Sequence, residues 1–311
     1  MSGSGRQKFF VQFASRGCLS FLFGLINVLL LTIAASAATT VKQELAAFSD
    51  SQFKQLQQLA RHGDARAEME LGVAYEEGIH VRQDVTEAAE WYRRAAQQGN
   101  VELQHHLALM YEEGRGVPRN FPEAAAWYRK AAELGYAPSQ CNLATMYREG
   151  RGVERDPAQA AVWYEVAARQ GDAQAESNIG YMYDHGEGVA QDDREAVTWY
   201  RKSAEQNFAI AQRNLGIMYV TGRGVEKNET EALRWFAAAV EHGLASAMLN
   251  EAALYMQASQ MPRNYAMAER LLSSAAATGD KEANELLERC RQLEKSAAES
   301  QTATAARPKG Q

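Results

Sequence analysis

Residues 136–171 read YAPSQCNLATMYREGRGVERDPAQAAVWYEVAARQG, and the same pattern returns every 36 residues on either side of this stretch. Its Trp163 has counterparts at Trp91, Trp127, Trp199 and Trp235, so all five tryptophans of the chain fall on one ruler. Self-similarity at a fixed period of about 20–50 residues marks a solenoid, in which one supersecondary unit stacks on copies of itself because it cannot bury its apolar face alone. Six units follow, 64–99, 100–135, 136–171, 172–207, 208–243 and 244–279, without insertion or deletion, and they cover 216 of the 311 residues.

Within the quoted stretch, Ser139, Leu143 and Tyr147 are spaced i, i+4, i+8, as are Ala67-Leu71-Tyr75, Leu103-Leu107-Tyr111, Ala175-Ile179-Tyr183 and Ala211-Leu215-Tyr219. That spacing places one apolar stripe on a helix, helix A. The residue after the aliphatic is Gly72, Ala108, Ala144, Gly180, Gly216 or Ala252, a choice that makes room for a closely approaching partner helix. Helix A ends at Gly150-Arg151-Gly152-Val153, which recurs at 114–117, 186–189 and 222–225. A phosphate-binding loop follows a strand and opens a helix, whereas these glycines follow a helix, so they read as C-cap and tight-turn residues. Helix B starts at Asp156, with Gln159 three residues on. The same register carries Asp84/Glu87, Asn120/Glu123, Asp192/Glu195 and Asn228/Glu231, and Asn264 is followed by Met267. Five capping boxes are expected, with Pro157 at a favoured first position. Helix B then presents small residues around each Trp-Tyr pair and stops at Gly99, Gly135, Gly171, Asn207, Gly243 or Gly279. Trp91, Trp127, Trp163, Trp199 and Trp235, with Tyr75, Tyr111, Tyr147, Tyr183 and Tyr219, are the expected repeat core, not a ligand-binding aromatic stripe.

These residues resemble the Sel-one-like repeat family, a relative of the tetratricopeptide repeats. The resemblance implies an all-α fold, a right-handed superhelical solenoid of antiparallel helix pairs with helix A on the concave side. Unit six departs from the pattern: Glu251 holds the aliphatic position, Leu271 replaces Trp, and Ala258-Ser259-Gln260 stand where Gly-x-Gly is expected. Terminal repeats are commonly atypical because one face meets no further repeat. Around the repeats, 38–50 reads as a tether, 51–63 as an N-capping helix, 280–295 as a C-capping helix and 296–311 as a disordered tail.

The N-terminal residues carry Arg6, Lys8 and Arg16 without an acid, then an apolar run from Leu19 to Ile33, then Ala35-Ser36-Ala37. This is the three-part pattern of a secretory signal spanning 1–37, cleaved after Ala37. The alternative is an uncleaved anchor, with residues 17–38 as the only contact with a membrane. Both place the body outside the cytoplasmic membrane. The whole chain has 33 basic and 39 acidic residues, and without 1–37 it has 30 against 39, net −9. No basic block is present to neutralise phosphates, so no nucleic-acid partner is expected. Cys141 and Cys290 lie about four repeats apart, which at ~10 Å per stacked repeat forbids a bridge.

Catalytic patterns are sparse. Ser51-x-x-Lys54 has the spacing of a serine acyl-enzyme motif, and some secreted members of the resembled family are associated with β-lactam binding. The Ser-Asp-Asn and Lys-Thr-Gly partner motifs are missing, as are the cysteine pairs of those relatives. The histidines have no metal-ligand spacing, and no cofactor is expected. What recurs beside the aliphatic of helix A is Asn142, Asn178, Asn214 and Asn250, with Glu70 and His106 in the first two units. Their side chains can engage the backbone of an extended peptide, or bond neighbouring turns and hold the repeat spacing. Residues that vary between units lie alongside: Val73, Leu109, Thr145, Tyr181, Ile217 and Ala253, then Met69, His105, Cys141, Ser177, Arg213 and Leu249. They are expected to face the groove, where Glu70, Glu76, Glu77, Glu112 and Glu113 suit a basic or polar segment over the first two repeats. The expectation is an exported, non-enzymatic, monomeric scaffold that binds a protein or peptide in the cell envelope. The alternatives are a β-lactam-binding or hydrolysing protein and a peptidoglycan- or polysaccharide-associated one.

Overall fold

A computed structural model describes residues 40–277 and 279–305, and every regular element among them is an α-helix. The expected signal, its cleavage site, the 17–38 anchor and residues 306–311 lie outside the described residues. Residues 40–46 form α1, followed by α2 (Asp50–Arg61). The repeats then supply the pairs α3 (Ala65–Glu77) and α4 (Val85–Gln97), α5 (Val101–Glu113) and α6 (Phe121–Glu133), and α7 (Ala137–Glu149) and α8 (Pro157–Arg169). The later pairs are α9 (Ala173–His185) and α10 (Asp193–Glu205), α11 (Ala209–Thr221) and α12 (Glu229–Glu241), and α13 (Ala245–Gln257) and α14 (Tyr265–Ala276), before α15 (Lys281–Ala305). Two compact units result, one of residues 40–175 with 187–189, the other of 176–186 with 190–305.

In every repeat the loop between the helices is closed in the same way. The Asx side chain at the start of helix B accepts from the N–H three residues on, as Asp156 does from Gln159 and Asn228 from Glu231. The reciprocal half expected of a capping box is replaced. The N–H of Asp84, Asn120, Asp156, Asp192, Asn228 or Asn264 donates to the carbonyl of the helix A tyrosine nine residues earlier, at 2.8–3.1 Å. Helix A's last turn has carbonyls without intrahelical partners and the N-cap has a free N–H, so one bond satisfies both. Among the described helix starts, Ser49, which opens α2, forms the full box, with Gln52.

The two glycines of the loop do different things. Gly150 is the left-handed C-cap of α7. Gly152, also at positive φ, lies against the preceding repeat: a Cβ there would sit 2.3 Å from the backbone of Phe121. Gly116 meets Val85, Gly188 meets Pro157 and Gly224 meets Asp193 in the same way. In the first repeat the equivalent residue is His80, at φ +58. The element before that repeat is α2 rather than a helix B, and its place is filled by the imidazole, which stacks on Phe53 at 5.0 Å and lies 2.9 Å from the Leu45 carbonyl.

Helix B carries two adjacent aromatics, and they serve different neighbours. Trp91 packs with Phe53, Leu56 and Leu71, while Tyr92 joins Leu103, Leu107 and Tyr128 of the next repeat. In the C-terminal unit Trp235 packs back among Tyr200, Ala204 and Leu215, and Phe236 packs forward among Ala253 and Leu254. Consecutive helical residues point about 100° apart, so the pair reaches both sides of its repeat. The deepest ring is the second one: Tyr128, Tyr164, Tyr200 and Phe236 are fully buried, whereas Trp91, Trp163 and the helix A tyrosines are half-buried. Trp127, Trp199 and Trp235 are buried as expected, and Trp91, Trp163 and the helix A tyrosines pack against the core from its margin. Gly72, Gly180 and Gly216 admit these rings, since a Cβ at each would meet Tyr92, Tyr200 or Phe236 within 3 Å.

The ends differ from expectation. Instead of a tether, residues 40–46 are helical, and Leu45 is buried among Phe53, Leu56, Ala67 and Leu71. Ala283, Leu286, Leu287 and Cys290 of α15 pack against Leu249, Ala268 and Leu272. The helix continues to Ala305, ten residues beyond the expected end at 295. Residues 296–305 hold four Ala, the best helix former, among Ser and Thr and contain neither Gly nor Pro, so nothing in them interrupts a helix.

A side-chain relay ties helix ends together. Gln104, Gln140 and Gln212 each donate to a carbonyl at the end of the preceding helix B. Gln98, Gln170 and Gln206, at the end of helix B, donate to the helix A residue of their own repeat, Glu68, Gln140 and Glu176. Leu134 and His242 occupy that donor position in the second and fifth repeats, and there the Gln104 and Gln212 amide oxygens are buried without a partner.

Two outcomes follow, both read by chemical denaturation. Gly171→Ala, in open space at positive φ, should cost only the left-handed strain of about 1–2 kcal/mol, and Gly152→Ala should cost ~1–3 kcal/mol more because its Cβ meets backbone. Leu134→Gln should stabilise the protein by about 1 kcal/mol by giving Gln104 its missing donor.

Candidate functional site

The residues singled out on helix A lie along a line of polar clasps between successive repeats. Near the C-terminal end of α3, Glu76 accepts from the Tyr92 hydroxyl at 2.7 Å and from Arg115, in the next repeat's loop, at 2.8 Å. One repeat on, Glu112 accepts from Tyr128 and from Arg151, each at 2.8 Å. In the C-terminal unit Asp184 accepts from Tyr200 at 3.3 Å and pairs with Arg223, which also reaches Asp193 at 2.6 Å. Burial and the adjoining carboxylate push the Tyr92, Tyr128 and Tyr200 hydroxyls well above their ordinary range, so they stay protonated donors. The Asp193 carboxyl is held below the ordinary carboxylate range by its bond from Arg223.

The third clasp has its charges exchanged. Arg148 stands where the others have an acid, and Glu187 stands where they have arginine, 3.8 Å away. Glu187 also pairs with Arg155 at 3.1 Å, and the Tyr164 hydroxyl turns to Thr145 Oγ1 at 2.7 Å. The fifth repeat loses all the parts together: Val220 replaces the acid, Phe236 has no hydroxyl, and Ser259 replaces the arginine. Glu229 holds that loop instead, accepting from the Ser259 and Gln260 backbone.

The candidate binding residues are distributed along this line. Glu70 is buried and bonded to Arg66 Nε at 2.7 Å. His105 Nδ1 lies 2.9 Å from Ser139 Oγ between Tyr128 and Tyr136. Burial, helped by His106, lowers its pKa to about 4, so it is neutral near pH 7. His106 is set edge-on against Tyr92, with its own pKa lowered by burial against the opposing pull of Glu76. The Asn142 side chain bonds to the Tyr128 hydroxyl. Where the hydroxyl is missing, at Phe236, Asn250 is buried and accepts instead from Arg213 Nε at 2.7 Å, while Arg213 Nη1 lies 3.4 Å from Asn214 Oδ1. Asn178 and Tyr181 are half-buried, and Tyr181 stacks on His185 at 4.0 Å.

The expectation that the second variable stripe faces a groove is corrected at Cys141, Ser177, Arg213 and Leu249, all of them buried. Ile217 and Ala253 of the first stripe are buried too, which leaves Val73, Leu109, Thr145 and Tyr181 partly open. Helix A is packed by its own helix B and by its neighbours in the stack, so only a narrow line of it meets solvent. The basic partner expected for the first two repeats loses part of its rationale, because Glu70, Glu76, Glu77 and Glu112 already hold Arg66, Arg115, Lys42 and Arg151.

Sequence reasoning missed a feature of helix B. Arg94, Lys130 and Lys202 lie over Trp91, Trp127 and Trp199 at 3.6–4.7 Å from the ring centroid, and the third repeat has Val166 at that register. Val162 and Val166 are exposed beside Trp163. Ser51 and Lys54 are both exposed on α2, and Ser51 Oγ lies 3.0 Å from Ser49 Oγ. Cys141 and Cys290 are free and buried. Among the described residues no three His, Cys, Asp or Glu side chains gather as a metal-binding group, and no helix is long and apolar enough to cross a membrane.

The Sel1 repeat matches this chain six times, at 65–100, 101–136, 137–172, 173–208, 209–244 and 245–280. The fold is similar to that of a protective antigen of uropathogenic Escherichia coli strains displaying an SLR fold. The TM-score is 0.70 and the identity 36%, over 76% of this chain and 50% of that one, so this chain spans about half the antigen's length. A Sel1 repeat protein from Oxalobacter formigenes is similar at TM-score 0.63 and 30% identity, covering 79% of this chain and 93% of that one. The secretory immunoglobulin A-binding protein EsiB of Escherichia coli O6:H1 strain CFT073 is 41% identical over 51 residues, 16% of this chain and 10% of EsiB.

The exchanged clasp gives a direct test by denaturation. Arg148→Glu should destabilise the protein by about 1 kcal/mol by setting two carboxylates together. Adding Glu187→Arg should recover a coupling energy of ~0.5–1 kcal/mol in a double-mutant cycle, and additive losses would show that the two residues do not interact.

Proposed function

The chain belongs to the Sel1 repeat family, whose members are generally protein-interaction scaffolds, and from that premise we propose that it is an exported, non-enzymatic adaptor. It holds a protein or peptide partner along helix A in the cell envelope. The observation that carries this reading is the line of Val73, Leu109 and Thr145 within the N-terminal unit, one residue per repeat at constant register, partly open and different in each repeat. A scaffold keeps its framework residues constant and varies the ones that meet a partner. The framework here consumes the acids, the tyrosine hydroxyls and most of the Asn positions, so specificity falls to the variable line.

Export is supported by the basic, apolar and small-residue order of residues 1–37. EsiB binds secretory immunoglobulin A, and its short match supports the class of activity, the holding of another protein, without assigning that partner here. A serine acyl-enzyme is disfavoured by the open setting of Ser51 and Lys54 on α2, since a nucleophile of that type needs a buried, positioned base.

Cell fractionation combined with photo-crosslinking tests the proposal. The chain should fractionate outside the cytoplasm, and a crosslinker at Val73, Leu109 or Thr145 should capture one protein partner, whereas a crosslinker at Val162 should not. Cytoplasmic retention, or crosslinks from Val162 alone, would overturn it.

A further inference from the structure

Five repeats place an aliphatic side chain at one register of helix A, and Leu71, Leu107, Leu143, Ile179 and Leu215 are at most 2% exposed there. The sixth places Glu251 at this position, 7% exposed. No hydrogen bond or ion pair among the described residues reaches its carboxyl.

The ionisable groups of the elements around α13 are occupied or turned to solvent. On α11, Arg213 is held by Asn250 and Asn214, and the Tyr219 hydroxyl accepts from Arg201. On α12, Glu229 is tied to the 259–260 loop, Glu231 faces Arg234, and Glu241 and the following His242 are exposed. On α14, Glu269 pairs with Arg291 of α15, Arg270 is exposed, and Tyr265 receives the Cys290 thiol at its carbonyl. On α15, Lys281, Glu282 and Glu285 are exposed. Tyr255, on α13 itself, has its hydroxyl pushed up by burial and by the Glu251 charge.

We propose that the sixth repeat is a pH-gated clasp. With Glu251 neutral, α13 seats against α12 and α14 as the aliphatic repeats do, and with Glu251 ionised that seat loosens. Burial pushes the Glu251 carboxyl from 4.5 up to about 7. Because the folded-state value is the higher one, the seat is fully stable below pH 4.5 and loses stability as pH rises toward 7. Leu249, Ala252 and Met256 of α13 share one core with Leu286 and Cys290 of α15, so loosening the seat also frees the C-terminal helix.

Hydrogen exchange of the full chain at pH 5.5 and 8.5, corrected for the intrinsic pH dependence of exchange, tests this with Glu251→Gln and Glu251→Leu alongside the wild type. Wild-type amides of α13 and α14 should lose about tenfold protection at the higher pH, and both variants should stay level. Glu251→Leu carries the residue the other repeats use, so it supports the comparison even if the amide variant folds poorly. Unchanged wild-type protection, or an equal loss in Glu251→Leu, would overturn the proposal.

Discussion

The structure depends on a pair of adjacent aromatics that must serve two neighbours at once. Two consecutive positions of a helix cannot share a face, so Trp and Tyr on helix B divide the work, one packing back and the other forward. Tyr92 lies in one core with Leu107 and Tyr128, and Trp91 in another with Phe53 and Leu71. Within each compact unit a repeat is therefore bonded to its neighbours on either side through different atoms. The small residues of both helices and the loop glycines at 116, 152, 188 and 224 allow the approach this requires. A large side chain at any of them would hold two repeats apart.

The polar clasps follow from the same geometry. A fully buried tyrosine ring brings its hydroxyl to the edge of the inter-repeat contact, where a buried donor needs an acceptor. Glu76, Glu112 and Asp184 supply it, and arginine from the next loop neutralises the acid. The parts change together. Phe236 comes with Val220 and Ser259, and Arg148 comes with Glu187. Such joint changes within one chain are what a physical contact between those positions demands, and they assign most of the recurring polar residues to holding the stack. The partner-binding role is left to residues that vary one at a time.

Much of this was legible in the sequence because the signals are local. The Asx starts, the left-handed stops and the i, i+4, i+8 stripe set helix boundaries within a few residues of those observed. What could not be read involves partners from elsewhere. The N–H of Asp84 looks available for Glu87 but is taken by the Tyr75 carbonyl, because the loop folds back on helix A. Gly152 looks like a turn residue, and its smallness is set by Phe121 of another repeat. Asn250 looks like the last rung of an open ladder, yet Arg213 claims it once Phe236 has removed the hydroxyl. Residues 40–46 lack a repeat signature, and they are fastened to the first repeats by Leu45 and Val41 in the core and by the Lys42–Glu77 pair. Among the site residues, Asn142 and Tyr181 were placed on the right helix, but their engagement depends on rings in other elements.

The claim that neighbouring repeats are coupled through the forward-facing aromatic is tested most directly by residue-resolved hydrogen exchange of Tyr128→Ala. Removal of this ring, fully buried in a core that includes Leu107 and Leu143, should lower protection in α5 and α7 as well as α6, while α13 and α14 keep theirs. A loss confined to α6, or one spread evenly to α14, would contradict the account.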